Sequence, residues 1–278
     1  MKTIKTHRMF DGEVRYIRHD STACSVPMEF TVFLPKEALA GENLPVLYFL
    51  SGLTCTAENF TVKAAAQRHA AEEKLIIVAP DTSPRGENVA DDERYCVGKG
   101  ASFYVNATEA PFAANYQMFD YVTEELPALI DREFPVIEGA RGVTGHSMGG
   151  HGALIAALKK PGFYRSLSAF APIASPSRVP WGQAALPLYL GEDEEAHRGY
   201  DATFLMAEAK ERLPILVDQG TADNFLKEQL RPELLEEAAK TAGHPLEIRM
   251  REGYDHSYFF VQTFIEDHIR HHAKALHN

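Results

Sequence analysis

Near the middle of the 278-residue chain, Gly145-His146-Ser147-Met148-Gly149 sets a serine between two glycines, each two positions away. The run Gly142-Val143-Thr144 precedes it, and the Ala/Leu-rich, helix-forming stretch from Gly150 to Leu158 follows. A nucleophile at a sharp strand-to-helix turn needs a strained backbone, and side chains two positions to either side would collide there. Glycines remove the collision and leave the hydroxyl exposed at a helix N-terminus. The free amides and positive dipole end of that terminus suit a developing oxyanion. The bare pattern arises by chance in roughly one chain of this length in ten, so the strand before it and the helix after it carry the argument.

A serine hydroxyl is inert without a base, and the base needs an acid to hold its tautomer. Where such a serine sits on a strand-to-helix turn, the chain order is Ser, then Asp or Glu, then His. Two late loops supply the partners. Ile215-Leu216-Val217-Asp218 runs into Gln219-Gly220-Thr221-Ala222-Asp223, and Ile248-Arg249-Met250 runs into Glu252-Gly253-Tyr254-Asp255-His256. Among twelve histidines, His7, His19 and His69 precede the serine, and His146 and His151 flank it. His268 and His272 are spaced like helix metal ligands, with His271 beside them, but no acidic companion completes a zinc motif. They read as the solvated end of a helix, where the dipole favours histidine. His256 alone lies between the last strand and the last helix. For the acid, Asp218 belongs to a strand and would point into the flank of the sheet, while Asp255 adjoins the base, which leaves Asp223. The expected triad is Ser147, Asp223 and His256. An oxyanion hole takes one amide from the residue after the nucleophile, Met148, and one from an earlier loop. Phe49-Leu50 leads into Ser51-Gly52-Leu53-Thr54-Cys55, where Gly52 is expected to turn the backbone and present the Leu53 amide.

These residues need a sheet to carry them. Met28, Phe30, Val32 and Leu34 alternate with other residues at strand period, and with Val14 to Ile17 they predict an antiparallel opening. Buried strands are expected at Val46–Leu50, Leu75–Ala79, Gly142–Thr144, Ser168–Ala171, Ile215–Asp218 and Leu246–Met250, with helical patterns between them. That alternation signals a mostly parallel α/β sheet in a single domain spanning residues 1–278. Phe119, Val122, Leu126, Leu129 and Ile130 share a helix face that Pro127 must kink or restart. Leu226, Leu230, Leu234 and Ala238 predict a helix capped near Gly243, and Phe260, Phe264, Ile265 and Ile269 a final one. The stretch 173–212 breaks the alternation with Pro176, Pro180 and Pro187 and the sole tryptophan, Trp181. It reads as an irregular, cap-like insertion that walls a binding site.

Composition narrows the function classes. The formal charge is −11, from 28 Lys and Arg against 39 Asp and Glu. A surface of that sign repels phosphate backbones and anionic lipid, so neither nucleic acid nor membrane is an expected partner. Cys24, Cys55 and Cys96 are too few and scattered for a disulfide framework or a metal site. The polar start and the lack of a ~20-residue apolar run read as a reduced, cytoplasmic protein. No cofactor is expected.

Longer motifs resemble a known family. Ser51-Gly52-Leu53-Thr54-Cys55, Ala79-Pro80-Asp81-Thr82-Ser83-Pro84-Arg85-Gly86, Gly145 through Gly152 and Gly253-Tyr254-Asp255-His256-Ser257-Tyr258 are similar to those of S-formylglutathione hydrolase, or esterase D, from about His7 to Leu276. The resemblance implies an α/β-hydrolase fold with helices on both faces of the sheet. It implies hydrolysis of S-formylglutathione to formate and glutathione, the last step of formaldehyde detoxification, with side activity on short esters. It implies the same triad and oxyanion donors, Cys55 near the site, Trp181 at the edge of the acyl pocket, and a homodimer. Asn224, Ser102 and Phe112 stand where the family usually has Gln, Gly and Trp. The residues that would hold the anionic glutathione stay open, Arg85 and Lys63 being two basic candidates.

Overall fold

The computed structural model describes residues 1–278. Nine strands, β1 (Lys2–Met9), β2 (Gly12–Asp20), β3 (Pro27–Leu34), β4 (Leu44–Leu50), β5 (Ile76–Pro80), β6 (Val136–Gly145), β7 (Ser166–Phe170), β8 (Ile215–Gly220) and β9 (Leu246–Arg251), form one sheet. Their order is β1-β2-β3-β5-β4-β6-β7-β8-β9. The pairs β1–β2, β2–β3 and β3–β5 are antiparallel. From β5 across to β9 every pair is parallel. The antiparallel opening and parallel body predicted by the sequence are both present.

The central strands show why. Leu44-Pro45-Val46-Leu47-Tyr48-Phe49-Leu50 is buried along its whole length, as a strand covered by helices on both faces requires. Strand β1 was not foreseen. Lys2 to Arg8 are all exposed, so no buried face imposes an alternation. Its lysines lie along the outer edge of the sheet, where charge discourages pairing with another chain.

Of three helical segments, one meets expectation and two depart from it. At Pro127 a new α-helical segment, Leu126–Glu133, begins with the proline in its first turn, as expected, and a π-helical turn, Tyr121–Glu125, joins it to Met118–Asp120. The helix expected across residues 226–238 is broken at Arg231, whose φ of 51° ends one turn before Pro232 begins the next. The buried face therefore becomes Leu230, Leu235 and Ala239, with Leu234 and Ala238 only half-buried. Gly243 caps that helix at φ 62°, as predicted. The 173–212 stretch is helical rather than irregular, with helices Pro180–Leu190, Glu194–Arg198 and Ala202–Glu208. Its proline Pro180 sits at a helix start, where a missing amide costs nothing, and Asp193 and Asp201 cap the next two. Pro176 and Pro180 stand at helix starts, whereas Pro187 is carried inside the helix Pro180–Leu190.

Because β4, β6, β8 and β9 all run parallel, their C-terminal ends meet at one rim of the sheet. The 51–55 loop, Ser147, Asp223 and His256 follow those four ends in turn.

Candidate active site

Ser147 has φ 60° and ψ −121°, a strained conformation for a residue with a side chain, at the junction of β6 and the helix Met148–Lys159. Such backbone costs on the order of 1–3 kcal/mol and persists only where its surroundings enforce it. Here they do. The His146 amide donates to the Leu50 carbonyl at 3.0 Å, and the Ser147 amide donates to the Phe170 carbonyl at 2.9 Å. A Cβ on Gly145 would stand 2.2 Å from the Gly149 carbonyl oxygen, and one on Gly149 only 1.9 Å from that of Leu50. The glycines are required for the steric reason expected above.

The 51–55 loop presses against this turn. Gly52 does not adopt a left-handed φ; its need is space, because a Cβ there would lie 3.0 Å from the Ser147 Cβ and 3.2 Å from the His146 carbonyl oxygen. The expected turn at Gly52 is thus a close approach. Neither the Leu53 amide nor the Met148 amide has an acceptor within the protein, as donors to a reacting oxygen should not. Three anchors fix the loop. The Tyr104 hydroxyl donates to the Ser51 carbonyl at 2.9 Å, and the Thr54 amide donates to the Gly100 carbonyl at 2.8 Å. The Cys55 carbonyl accepts from both Thr82 Oγ1 at 2.5 Å and Arg85 Nη2 at 2.9 Å. Arg85 Nε in turn meets Asp81 Oδ2 at 2.8 Å. Arg85, open as a substrate contact from sequence, is half-buried and braces this loop. Burial pushes the Asp81 carboxyl up, and Arg85 opposes that shift.

On the other side of Ser147, His256 Nδ1 lies 2.5 Å from Asp223 Oδ2. The Asp223 carboxylate also accepts from the Phe225 amide at 2.8 Å and from Gln219 Nε2 at 3.3 Å. These bonds hold it as an acceptor, so Nδ1 carries the proton and Nε2 is left free to take one. The His256 ring lies 4.5 Å from that of His146, the residue before Ser147. The two rejected carboxylates have other work. Asp255 accepts from the Ser257 amide and hydroxyl at 3.0 and 2.6 Å. Asp218 is fully buried and pairs with Arg249 and Arg251.

Comparison with known proteins fits this geometry. Residues 21–271 match the model of the Esterase family, described as putative esterases. An S-formylglutathione hydrolase from Agrobacterium tumefaciens is 47% identical, with 99% of this chain and 100% of that one covered and a TM-score of 0.97. The chain belongs to the esterase family. Two more distant structures share the fold alone. FphF, a fluorophosphonate-binding serine hydrolase of Staphylococcus aureus, is 17% identical over 94% of this chain and 98% of its own, at TM-score 0.75. A ferulic acid esterase from Anaeromyces mucronatus is 16% identical over 99% and 93%, at TM-score 0.67. The protein is an α/β hydrolase and an enzyme.

The remaining predicted positions of this esterase stand at different removes from the base. Phe225 stands edge-on to His256 with ring centroids 5.0 Å apart, Trp181 packs on Phe225 at 4.8 Å, and Tyr95 on Trp181 at 5.5 Å. Trp181 therefore reaches the site through Phe225, a residue the sequence reading passed over although it lies two positions after Asp223. Cys55 is half-buried. Burial raises its thiol, against lowering by the Tyr258 hydroxyl and by the positive charge of Lys63. Burial, and then the proximity of His256, holds His146 well below the ordinary imidazole range, and its Nε2 has no partner. Of the three family departures, Phe112 is buried among Tyr116 and Tyr189, Ser102 donates to the Thr82 carbonyl at 2.6 Å, and Asn224 is exposed beside the acid.

One histidine assignment is overturned. His268 and His272 are not on a solvated helix end; both are fully buried. The final helix, Tyr258–Leu276, lies across the sheet at this point. His268 Nδ1 meets Ser168 Oγ at 2.8 Å, and His272 bridges Ser166 Oγ at 2.6 Å and Ser168 Oγ at 2.8 Å. Gly142 makes room for this, since a Cβ there would lie 2.8 Å from His272 Nδ1. No cluster of three or more His, Cys, Asp or Glu side chains is arranged to hold a metal ion. No helix is long and apolar enough to cross a membrane.

Proposed function

We infer that this esterase hydrolyses the thioester S-formylglutathione to formate and glutathione, with Ser147, His256 and Asp223 as its triad. The observation that carries the reading is the 2.5 Å contact between His256 and Asp223, on loops that follow parallel strands beside the strained Ser147 turn. The 47% identity to an S-formylglutathione hydrolase supports the choice of substrate.

His256 Nε2 takes the Ser147 proton as the hydroxyl attacks the formyl carbonyl. The tetrahedral oxyanion rests on the Leu53 and Met148 amides, which the Arg85 and Tyr104 anchors keep aimed. Collapse expels the glutathione sulfur, which takes the proton from His256 Nε2 and departs as the thiol, and leaves a formyl ester on Ser147 with the imidazole neutral again. A thiol has a pKa near ~8.5, so this leaving group needs little help from the imidazolium. Water, deprotonated by His256, then attacks the formyl-enzyme and releases formate, restoring the serine. Asp223 keeps its charge throughout and stabilises the imidazolium.

Trp181 and Phe225 form the acyl side of the pocket in this reading, and the 173–212 helices are its wall within a single domain. A reduced cytoplasmic setting and a homodimer fit the free cysteines and the family resemblance. Steady-state rates with S-formylglutathione and with p-nitrophenyl acetate test the assignment. The thioester is expected to have the higher kcat/KM by at least an order of magnitude. A preference for the aryl ester of that size would instead make the protein a general carboxylesterase.

A further inference from the structure

We propose that the groove between Lys63 and Phe259 is the subsite for the leaving-group half of the substrate, and that it selects an anionic peptide thiol. The proposal rests on the thioester reading above. It concerns the part of the substrate for which the sequence offers only Lys63 and Arg85 as basic candidates.

The groove has a volume of about 620 Å³ and is lined by Val62, Lys63, Ala65, Ser257, Tyr258, Phe259 and Gln262. It reaches the chain segment that carries the base. Ser257 and Tyr258 directly follow His256, and the Tyr258 ring lies 5.8 Å from that of His146. Lys63 ends the helix Ala57–Lys63, which starts just after Cys55. Its ammonium sits 5.9 Å from the Tyr258 ring centroid, and its charge is felt at the Cys55 thiol.

Charge identifies the occupant. In a chain with 39 acidic residues, no carboxylate lines this groove, and Lys63 forms no ion pair or hydrogen bond with the protein. The other basic candidate, Arg85, is held by Asp81 and the Cys55 carbonyl. An unpaired cation beside an acid-free groove favours a ligand with net negative charge. Glutathione qualifies, with two carboxylates and one ammonium. The apolar sides fit as well: Val62 is 60% and Phe259 80% exposed, so each offers surface to the methylene and peptide segments of an extended thiol.

Lys63→Met and Lys63→Glu test the idea. Each variant is compared with the unmodified enzyme by the ratio of kcat/KM for S-formylglutathione to that for neutral p-nitrophenyl acetate. Lys63→Met should lower the ratio about fivefold, as loss of one exposed ion pair would, through KM rather than kcat. Lys63→Glu should lower it further, and inhibition by S-methylglutathione should weaken in parallel. Raising salt should increase KM for the thioester in the unmodified enzyme and less so in Lys63→Met. A ratio unchanged in both variants overturns the proposal. So does a Phe259→Ser enzyme that turns from dimer to monomer with its thioester KM unaltered, because the groove would then be an interface between copies. If the unmodified enzyme does not cleave S-formylglutathione, it is the substrate reading that fails, and the wild-type rate shows this before any variant is made.

Discussion

Two neighbourhoods of the molecule combine a serine, a histidine and an aspartate. At the rim, His256 bonds Asp223 at 2.5 Å beside Ser147. Inside the fold, Ser168 Oγ lies 2.8 Å from His268 Nδ1, whose Nε2 lies 3.2 Å from Asp218. The residue types are the same, and the roles differ for physical reasons. The inner serine lies within β7, with no free amides aimed at a substrate oxygen and no access from solvent. Its hydroxyl is already shared with His272 and Thr144. The inner aspartate is neutralised by Arg249 and Arg251 at 2.7 and 3.0 Å. The rim serine instead occupies a strained turn next to two unbonded amides, and its histidine keeps some exposure. Composition in contact is therefore not enough; strain, free donors and access make the difference.

The largest effect expected from this contrast is on the serines. Ser147→Ala should cut kcat by about 10⁶-fold with little change in stability, the scale seen when a serine nucleophile is removed. Ser168→Ala should do the reverse. It leaves two buried imidazoles short of a partner, at about 2 kcal/mol, while kcat per folded molecule stays within twofold. Urea denaturation and active-enzyme kinetics on the two purified variants decide the matter. A catalytic collapse in Ser168→Ala with an unchanged denaturation midpoint would reverse the roles assigned to the two clusters.

The aspartates sharpen the same division at smaller scale. Asp223→Asn removes the charge that fixes the His256 tautomer, and kcat should fall by about 10⁴-fold. Asp218→Asn leaves Arg249, Arg251 and His268 around a neutral amide, with Asp267 the only other carboxylate on the two arginines. Its cost should be about 3 kcal/mol of stability, the lower end for breaking a buried pair, with activity retained in the folded fraction. Equal losses of activity in both variants would show that Asp218 serves the reaction as well.

How far the sequence shows this division depends on what each feature needs. The elbow was legible because glycine is the only residue that fits at 145 and 149, so the constraint is written in residue type. The parallel strands were legible because burial on both faces demands unbroken apolar runs such as 44–50. Strand β1 was hidden, since an exposed edge leaves residue choice free. The inner cluster was misread because His268 and His272 carry polar side chains at helix spacing, and only the sheet contact at Gly142 and Ser168 reveals their burial. The brace on the 51–55 loop was equally silent. Arg85 looks like any surface cation until the fold brings Asp81 and the Cys55 carbonyl to it from two different loops.

The smallest expected effect separates the two regions by pH. Burial lowers the pKa of His268 and His272 below the ordinary imidazole value, and lowers that of His151, beneath the nucleophile turn, to about 4. For His268 the attraction of Asp218 opposes burial without overcoming it, and Arg249 and His271 add to the lowering. His272 is lowered further by His271 and His268, and His151 is raised slightly by Asp201 and the Phe103 carbonyl. A histidine held neutral in the fold takes up its proton first in the unfolded chain. Below an unfolded pKa near ~6.5 the unfolded state therefore binds more protons, and stability drops as pH falls. Each such group approaches a loss of about 1.4 kcal/mol per pH unit until its folded pKa is reached. The carboxylate of Asp218 is depressed by His268 and the two arginines despite its burial. Its stabilisation is kept above the unfolded pKa near ~3.9 and lost only in stronger acid. Acid weakening should thus begin between pH 6.5 and 4.5, from the inner histidines together with other buried ones such as His146, ahead of most of the carboxylate contribution. Urea midpoints across that interval should fall steadily, and His272→Gln should flatten the slope by up to one proton. A midpoint that stays level from pH 7 to 4.5 would mean that the inner imidazoles are already charged in the fold, and the contrast between the two clusters would lose its electrostatic basis.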